Sequence, residues 1–299
     1  MGADLWVGMN AIYYADNLEV LRALPSGSID LIVTDPPFNT RKPRTQTTLR
    51  VERAADGPRR GFGGQRYRVT ALTRFSFPDR FDDYLGFLEP RLVEFHRVLA
   101  PHGSLYLHLD YREAHYCKVL LDLIFGRACF LNEIIWAYDY GGRSRRRWPA
   151  KHDTILLYVR DRRRYYFDAD AVERVPYLAP GLVGPEKAAR GKLPTDTWWH
   201  TIVPTSSKER TGYPTQKPLA LVRRMVAASA PAGGLVLDPF AGSGTVGAAC
   251  LELGRRFLLV DNNLAAIQVM ARRFAGREDI AWYFWNPTGA SERPEEKPA

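Results

Sequence analysis

The sequence predicts an α/β fold built on a doubly wound sheet. Apolar runs typical of buried strands alternate with amphipathic helical patterns at both ends of the chain. Two motifs rich in Gly and Pro directly follow such strands, where doubly wound sheets bind their ligands. The 299 residues, 45% hydrophobic and 25% charged, are enough for one large domain or two small ones. This composition excludes a disordered or disulfide-stapled chain.

The first half of the chain alternates short strands with helices. Asp16 or Asn17 can cap the first helix, and Pro25-Ser26-Gly27 ends it. Pro101-His102-Gly103 ends the second helix in the same way. In chain order we expect a strand at 11–14, a helix at 18–24, a strand at 29–33, a helix at 78–99, a strand at 104–109, a helix at 111–125, and strands at 133–136 and 154–159.

The second half repeats the alternation after an irregular stretch. Residues 169–212 are rich in Pro and Gly, and we interpret them as an appended recognition region. The expected elements beyond it are a helix from Pro218 to near Pro231, a strand at 235–237, a helix at 246–253, a strand at 257–260 and a helix at 264–274. The chain therefore divides into 10–168, 169–212, 213–285 and a polar tail at 286–299.

The net charge of +9 is concentrated in two short segments. Residues 40–75 carry +8 and residues 140–165 carry +7, which leaves −6 on the rest of the chain. Basic segments interleaved with Gly and aromatic residues favour a nucleic acid partner, with a solvated surface as the alternative for each. Residues 40–75 show no clear period and are interpreted as a long mobile loop.

The cysteine, histidine and hydropathy patterns indicate the cellular compartment and whether a metal site is expected. Three cysteines without close pairing suggest a reducing compartment. No apolar stretch is long enough to span a membrane, so we expect a cytoplasmic, nucleoid-associated protein without a membrane partner. The six histidines show no metal-ligand spacing, and His108 is interpreted as a core or surface residue. No metal is expected.

The first strand-end motif runs from Val236 to Thr245. A glycine turn that opens a helix lets a ligand approach the backbone and offers it free N–H donors. The spacing also matches the dinucleotide fingerprint, so a nicotinamide enzyme is a competitor. However, the motif lies only about 55 residues from the end of this sequence. In addition, the Asp238 carboxylate suits a cationic ligand such as S-adenosylmethionine better than a pyrophosphate.

The second motif, Thr34 to Asn39, directly follows a buried strand. Its two prolines fix the backbone and remove two N–H donors, which leaves carbonyl acceptors exposed. A planar heterocycle could stack on Phe38 and donate from its amino group to the Asp35 carboxylate and the Pro36 carbonyl. The alternative is a rigid turn with an Asx cap.

Together, and in this order, the motifs resemble the β group of DNA amino-methyltransferases, in which the catalytic motif precedes the target-recognition region and the cofactor motif follows it. The resemblance covers residues 10–275 and implies a Rossmann-like methyltransferase sheet. The residues that carry it are Asp35-Pro36-Pro37-Phe38, Gly141-Gly142-Arg143-Ser144, Lys151-His152-Asp153, the run from Ser207 to Pro218, and the run from Asp238 to Thr245.

The resemblance implies S-adenosylmethionine as cofactor and double-stranded DNA as substrate. The implied catalytic residues are Asp35, Pro36, Pro37 and Phe38. The candidate cofactor-binding residues are Asp16 for the adenine, Tyr213 and Lys217 for the methionine end, Asp238, Phe240, Gly242, Ser243, Gly244 and Thr245 around the glycine turn, and Asp261 for the ribose. Many relatives have His at the position of Tyr213 and Tyr at that of Phe38, and both replacements keep the needed chemistry.

A base must leave the duplex before its amino group can reach the cofactor, so cations beside the site are expected to hold the phosphates. The candidate DNA-binding residues are Arg143, Arg145, Arg146, Arg147, Lys151, Arg162, Arg163 and Arg164. Both basic segments are expected to flank the flipped base. Trp198-Trp199 is either a stacking platform or part of the core.

Several alternatives stay open at this point. An acidic first residue in the catalytic motif favours N6 of adenine, with N4 of cytosine as the alternative. Two further hypotheses are an RNA methyltransferase and a DNA-binding subunit without catalytic activity. A cognate restriction endonuclease and a second copy of the chain are candidate partners.

Overall fold

The central sheet has nine strands with helices on both faces. The structure, a computed structural model, describes residues 10–41, 44–60, 65–77, 79–141 and 144–284. The strands are β1 (Asn10–Tyr14), β2 (Ile29–Thr34), β3 (Arg44–Arg53), β4 (Arg59–Arg60), β5 (Arg66–Phe77), β6 (Leu99–Leu109), β7 (Phe130–Ala137), β8 (His152–Val159), β9 (Thr197–Trp199), β10 (Leu235–Asp238), β11 (Arg256–Asp261) and β12 (Ile280–Phe284). The helices are α1 (Asn17–Ala23), α2 (Tyr84–Val98), α3 (Ala114–Phe125), α4 (Pro185–Arg190), α5 (Leu219–Ser229), α6 (Thr245–Leu253) and α7 (Leu264–Arg273).

The strand order is β12-β1-β11-β10-β2-β6-β8-β7-β9. Neighbouring strands are parallel except where β8 pairs antiparallel with β6 and with β7. Helices α1, α2 and α3 pack on one face, and α5, α6 and α7 pack on the other. Strands buried on both faces have continuous apolar runs, as residues 31–33 of β2 and 257–260 of β11 do. The predicted α/β doubly wound fold is confirmed.

Most predicted elements are found with shifted ends. The helix predicted from residue 78 begins at Tyr84, because the Asp83 side chain caps it by accepting from the Gly86 amide at 2.8 Å. The strand predicted at 104–109 extends back to Leu99. Strands β9 and β12 were not expected from the sequence. Among the described residues, no helix is long and apolar enough to cross a membrane.

The interpretation of residues 40–75 as a long loop is wrong. Strands β3 and β5 pair antiparallel from Arg44–Phe77 to Arg53–Tyr67, and β4 pairs with the start of β5. The segment is rich in Thr, Val and aromatic residues, which favour strands. Its many charges interrupt the alternation of a buried face by which strands are usually predicted. We call residues 44–77 the basic arm; they carry eight Arg and two acidic residues.

The region 169–212 is largely irregular, as predicted, but it is joined to the body. Its strand β9 extends the central sheet beside β7. Trp198 is buried in the core, whereas Trp199 is 78% exposed, so the two tryptophans have different environments. The predicted polar tail at 286–299 lies outside the described residues.

Candidate active site

The glycine turn connects β10 to α6 at the carboxyl edge of the sheet. Gly242 and Gly244 have φ angles of +50° and +73°, a left-handed backbone that favours glycine. A Cβ on Gly244 would lie 2.9 Å from the Met270 side chain, and one on Gly242 would lie 3.0 Å from the Tyr213 ring. Tyr213 therefore covers the turn, and a larger residue at Gly242 would displace it.

Asp261 ends β11 and fixes the same turn. Its carboxylate accepts from the Gly242 amide and from the Asn263 amide, each at 2.8 Å. Burial raises its pKa to about 6, against the effect of these two backbone hydrogen bonds. Because each carboxylate oxygen has more than one lone pair, Asp261 can also accept from a ligand hydroxyl.

Asp238, the last residue of β10, is a buried carboxyl directly before the turn. Its Oδ1 accepts from the Phe240 amide at 3.1 Å. Burial, together with the nearby carboxylates of Asp35 and Asp261, raises its pKa to about 8. A cationic ligand would favour the ionised form, so this chemistry fits the sulfonium and amino group of S-adenosylmethionine.

Asp16 caps α1 and lines the same cavity as the glycine turn. Its Oδ1 accepts from the Leu18 amide at 2.8 Å, and its Oδ2 lies 3.1 Å from Nη2 of the buried Arg91. This cavity has a volume of about 300 Å³. The catalytic motif and every candidate cofactor residue except Gly244 line it: Asp16, Asp35, Pro36, Pro37, Phe38, Tyr213, Lys217, Asp238, Phe240, Gly242, Ser243, Thr245 and Asp261.

Asp35 follows β2 and lies between the side chains of Lys217 and His108. Lys217 forms an ion pair with its Oδ2, and Nδ1 of His108 lies 3.1 Å from its Oδ1. Burial opposes ionisation, but Lys217 and His108 outweigh it and hold the Asp35 pKa below its usual range. The Lys217 ammonium also lies 5.0 Å from the centre of the Phe38 ring. Lys217, expected at the methionine end of the cofactor, thus contacts the catalytic motif.

His108, interpreted from the sequence as a core or surface residue, lies at this site. The His108 side chain is only 6% exposed, and its Nε2 lies 3.3 Å from Oδ2 of Asp153. It is the penultimate residue of β6, whose Leu107 pairs with Thr34 of β2, and this places it beside Asp35. A histidine near the end of the apolar run Leu105–Leu109 was the available signal. It could be used only once β6 was known to lie next to β2.

A second cavity of about 820 Å³ opens beside the first. Phe38, Tyr213 and Lys217 line both cavities and therefore stand between them. The other aromatic side chains of this cleft are Tyr111, Trp136, Tyr138 and Tyr140. Planar walls of this kind suit the stacking of a base, next to the carboxylate that would accept from its amino group.

The loop between β7 and β8 lies at this same edge, because β7 runs parallel and β8 antiparallel to β6. Nη2 of Arg147 lies 3.4 Å from the Tyr111 hydroxyl at the wall of the cleft. Lys151 donates to the carbonyl of Gly141, which also lines the cleft, at 3.3 Å. Arg145 and Arg146 are exposed on this loop. The predicted contact at Arg143 lies outside the described residues.

Residues 162–164 lie at the other edge of the sheet. Thr154 of β8 pairs with Leu109 at the site edge, and Val159 pairs with Ser104 at the far edge. Strand geometry places these two pairs about 17 Å apart along β8. Arg164 forms an ion pair with Asp161 at 2.7 Å. The expectation that all of 140–165 flanks the site is wrong, because β8 crosses the sheet between its two arginine clusters, and Arg162, Arg163 and Arg164 are therefore separated from the cleft.

A known protein family matches most of this chain. The sequence model of that family, described as DNA methylase, matches residues 29–272. The type II methyltransferase M.HpaI of Haemophilus parainfluenzae is 32% identical over 256 residues, which are 86% of this chain and 71% of that protein. The DNA adenine methyltransferase YhdJ of Escherichia coli K12 is 30% identical over 281 residues, 91% of this chain and 84% of that protein.

Solved structures share the fold. PvuII DNA methyltransferase, which is cytosine-N4-specific, superposes with a TM-score of 0.61 at 16% identity, covering 90% of this chain and 88% of that one. The M1.HpyAVI–SAM complex gives a TM-score of 0.56 at 21% identity, covering 89% and 98%. At these identities the likeness concerns the fold alone.

Proposed function

This chain belongs to the DNA methylase family, and from that premise we propose that it transfers a methyl group from S-adenosylmethionine to the exocyclic amino group of a flipped base in DNA, N6 of adenine. One observation carries the proposal. The Asp35–Phe38 motif and the glycine turn line a single cavity, which adjoins an aromatic cleft across Phe38, Tyr213 and Lys217. Cofactor and base can therefore meet at Asp35.

The residues around the turn fit the cofactor, which supplies an electrophilic methyl group when it is bound. We assign Asp16 to its adenine, Asp261 to its ribose and Tyr213 to its methionine end. The buried Asp238 carboxyl, with its raised pKa, complements a positive ligand. Lys217, which is ion-paired to Asp35, connects the methionine end to the catalytic motif.

Asp35 and Pro36 are assigned to the amino group of the base, and Phe38 to its ring. An ionised Asp35, held in that state by Lys217 and His108, accepts a hydrogen bond from the amino nitrogen. It also stabilises the positive charge that develops there, and the fixed Pro36 carbonyl adds a second acceptor. Such preorganised acceptors need no reorganisation during the reaction. Pro37 keeps the turn rigid.

Adenine is the proposed base for two reasons. The catalytic motif begins with an acidic residue, the form that the resemblance associates with adenine, and the relative YhdJ is named a DNA adenine methyltransferase. N4 of cytosine is the alternative, since PvuII DNA methyltransferase has the same fold.

The choice of polymer is tested by transfer of a tritiated methyl group. Duplex DNA from a methylation-free host is expected to retain the label, and RNA duplex in excess is expected neither to accept it nor to compete. The reason is that the proposed site uses a flipped base of duplex DNA. Labelled RNA would contradict the DNA assignment. Binding of DNA without any transfer would support a catalytically inactive DNA-binding subunit.

The separation of the two arginine clusters predicts different salt dependences of DNA binding. Replacing Arg145, Arg146 and Arg147 with Gln should lower the slope of log Kd against log salt by about 2 to 3, because each lost phosphate contact removes nearly one unit. The matched variant with Gln at Arg162, Arg163 and Arg164 should keep the wild-type slope. Equal slopes for the two variants, measured by fluorescence anisotropy, would contradict this assignment.

The remaining partner assignments are proposals with narrower support. The basic arm is assigned to the DNA backbone, because its net charge is +6 and it begins just beyond the catalytic motif. A cognate restriction endonuclease is proposed because M.HpaI is named a type II methyltransferase. A second copy of the chain is proposed because Tyr116, Val119 and Leu123 expose an apolar stripe on α3.

A further inference from the structure

His108 lies at the centre of a chain of polar side chains that ends at the catalytic carboxylate. The Tyr138 hydroxyl donates to Asp153 Oδ1 at 3.1 Å. Asp153 Oδ2 lies 3.3 Å from His108 Nε2, and His108 Nδ1 lies 3.1 Å from Asp35 Oδ1. The strands or strand ends that hold these residues are neighbours in the order β2-β6-β8-β7, so the sheet itself sets the spacing.

The surroundings of His108 leave its ring little freedom. The ring meets Phe38 edge-on with centroids 5.2 Å apart, and it is tilted against Trp136 at 5.4 Å. Its two nitrogens lie within 3.3 Å of two carboxylates, one from each side of β6. A side chain that only filled space here would be apolar, because a buried polar ring is costly unless it is paired.

We propose that His108 is a positioning residue that, anchored by Asp153, fixes the Asp35 carboxylate toward the amino group of the target base. The inference rests on the proposed function, since it concerns the group that accepts from that base. An imidazole between two carboxylates orients both of them, and a carboxylate with a fixed direction forms its hydrogen bond to substrate without searching rotamers.

The charges around His108 support this role. The charged groups that act on it are Asp35 beside β2, Asp153 on β8 and Lys217 before α5. Burial disfavours the imidazolium, but the two carboxylates outweigh burial and Lys217, and they raise the His108 pKa. The resulting imidazolium lowers the pKa of both Asp35 and Asp153. His108 therefore keeps Asp35 ionised as well as oriented.

The test compares three variants with the wild-type enzyme in single-turnover methylation of DNA across pH. His108→Leu is expected to lower the methylation rate about 100-fold, the scale of losing one preorganised group. Its acid limb should also move to higher pH, because loss of the imidazolium raises the Asp35 pKa. His108→Asn retains a donor near the Nδ1 position and should recover about tenfold of the rate. Exposed His115→Asn on α3 is the matched control and should behave as wild type.

Asp153→Asn shows whether the second carboxylate acts through His108. Its loss of rate is expected to be smaller, and in combination with His108→Leu it should add nothing further. Thermal melting and S-adenosylmethionine binding establish that each variant is folded. Folded His108 variants with an unshifted acid limb and a wild-type rate would overturn the inference. Absence of transfer by the wild-type enzyme would instead overturn the proposed function.

Discussion

Asp35→Asn is expected to reduce the methylation rate on the order of 10³-fold while S-adenosylmethionine binds nearly as well as before. The amide keeps the shape of the carboxylate but loses the charge that stabilises the amino nitrogen as it becomes positive. It also removes the partner of Lys217, whose ion pair with Asp35 is mostly buried. Single-turnover methylation and calorimetric titration of the cofactor measure the two effects separately.

Asp279→Asn is the matched control for this change. Asp279 directly precedes β12, is half-exposed and pairs at the surface with Arg277, so its amide variant should have wild-type rate and affinity. An Asp35→Asn enzyme within tenfold of the wild-type rate would contradict the catalytic assignment. A large loss of cofactor affinity in that variant would place Asp35 in the cofactor site instead.

Asp238→Asn is expected to stabilise the protein at alkaline pH and to weaken cofactor binding. The folded-state pKa of Asp238 is about 8, raised from 3.8. Between these values the folded chain holds a proton that the unfolded chain has released. Wild-type stability from this group is therefore complete at low pH and is lost as pH rises toward 8. The asparagine cannot ionise, so its advantage in Tm should grow from little at pH 5 to about 5 °C at pH 9.

The same substitution should lower the affinity for S-adenosylmethionine about 10- to 100-fold, because the cationic ligand loses a buried carboxylate. Asn Oδ1 can still accept from the Phe240 amide, so the turn itself should persist. Thermal unfolding from pH 5 to 9 and cofactor titration at pH 8 check both parts. Parallel Tm curves for variant and wild type would contradict the raised pKa.

Local sequence determined the parts of this site that lie next to each other in the chain. The buried run before Asp35 and the run before Gly242 predicted strands that end in ligand-binding turns, and both turns line the observed cavity. Their proximity also followed, because parallel strands bring their carboxyl ends to one edge.

Features that depend on strand order and direction could not be predicted from the local sequence. His108 reaches Asp35 only because β6 lies next to β2. Arg162 was grouped with Arg147 by sequence, yet β8 separates them because it runs antiparallel. The basic arm was missed for another reason: a paired ribbon can form on strand propensity without the alternation of a buried face that identifies most strands.

Base-resolved sequencing of DNA from a methylation-free host shows directly whether this protein methylates adenine in DNA. The host expresses either the wild-type protein or the Asp35→Asn variant, and single-molecule sequencing locates the modified bases. We expect N6-methyladenine at one recurrent sequence with the wild-type protein and essentially none with the variant. N4-methylcytosine, or DNA left unmodified by the folded wild-type protein, would contradict this expectation.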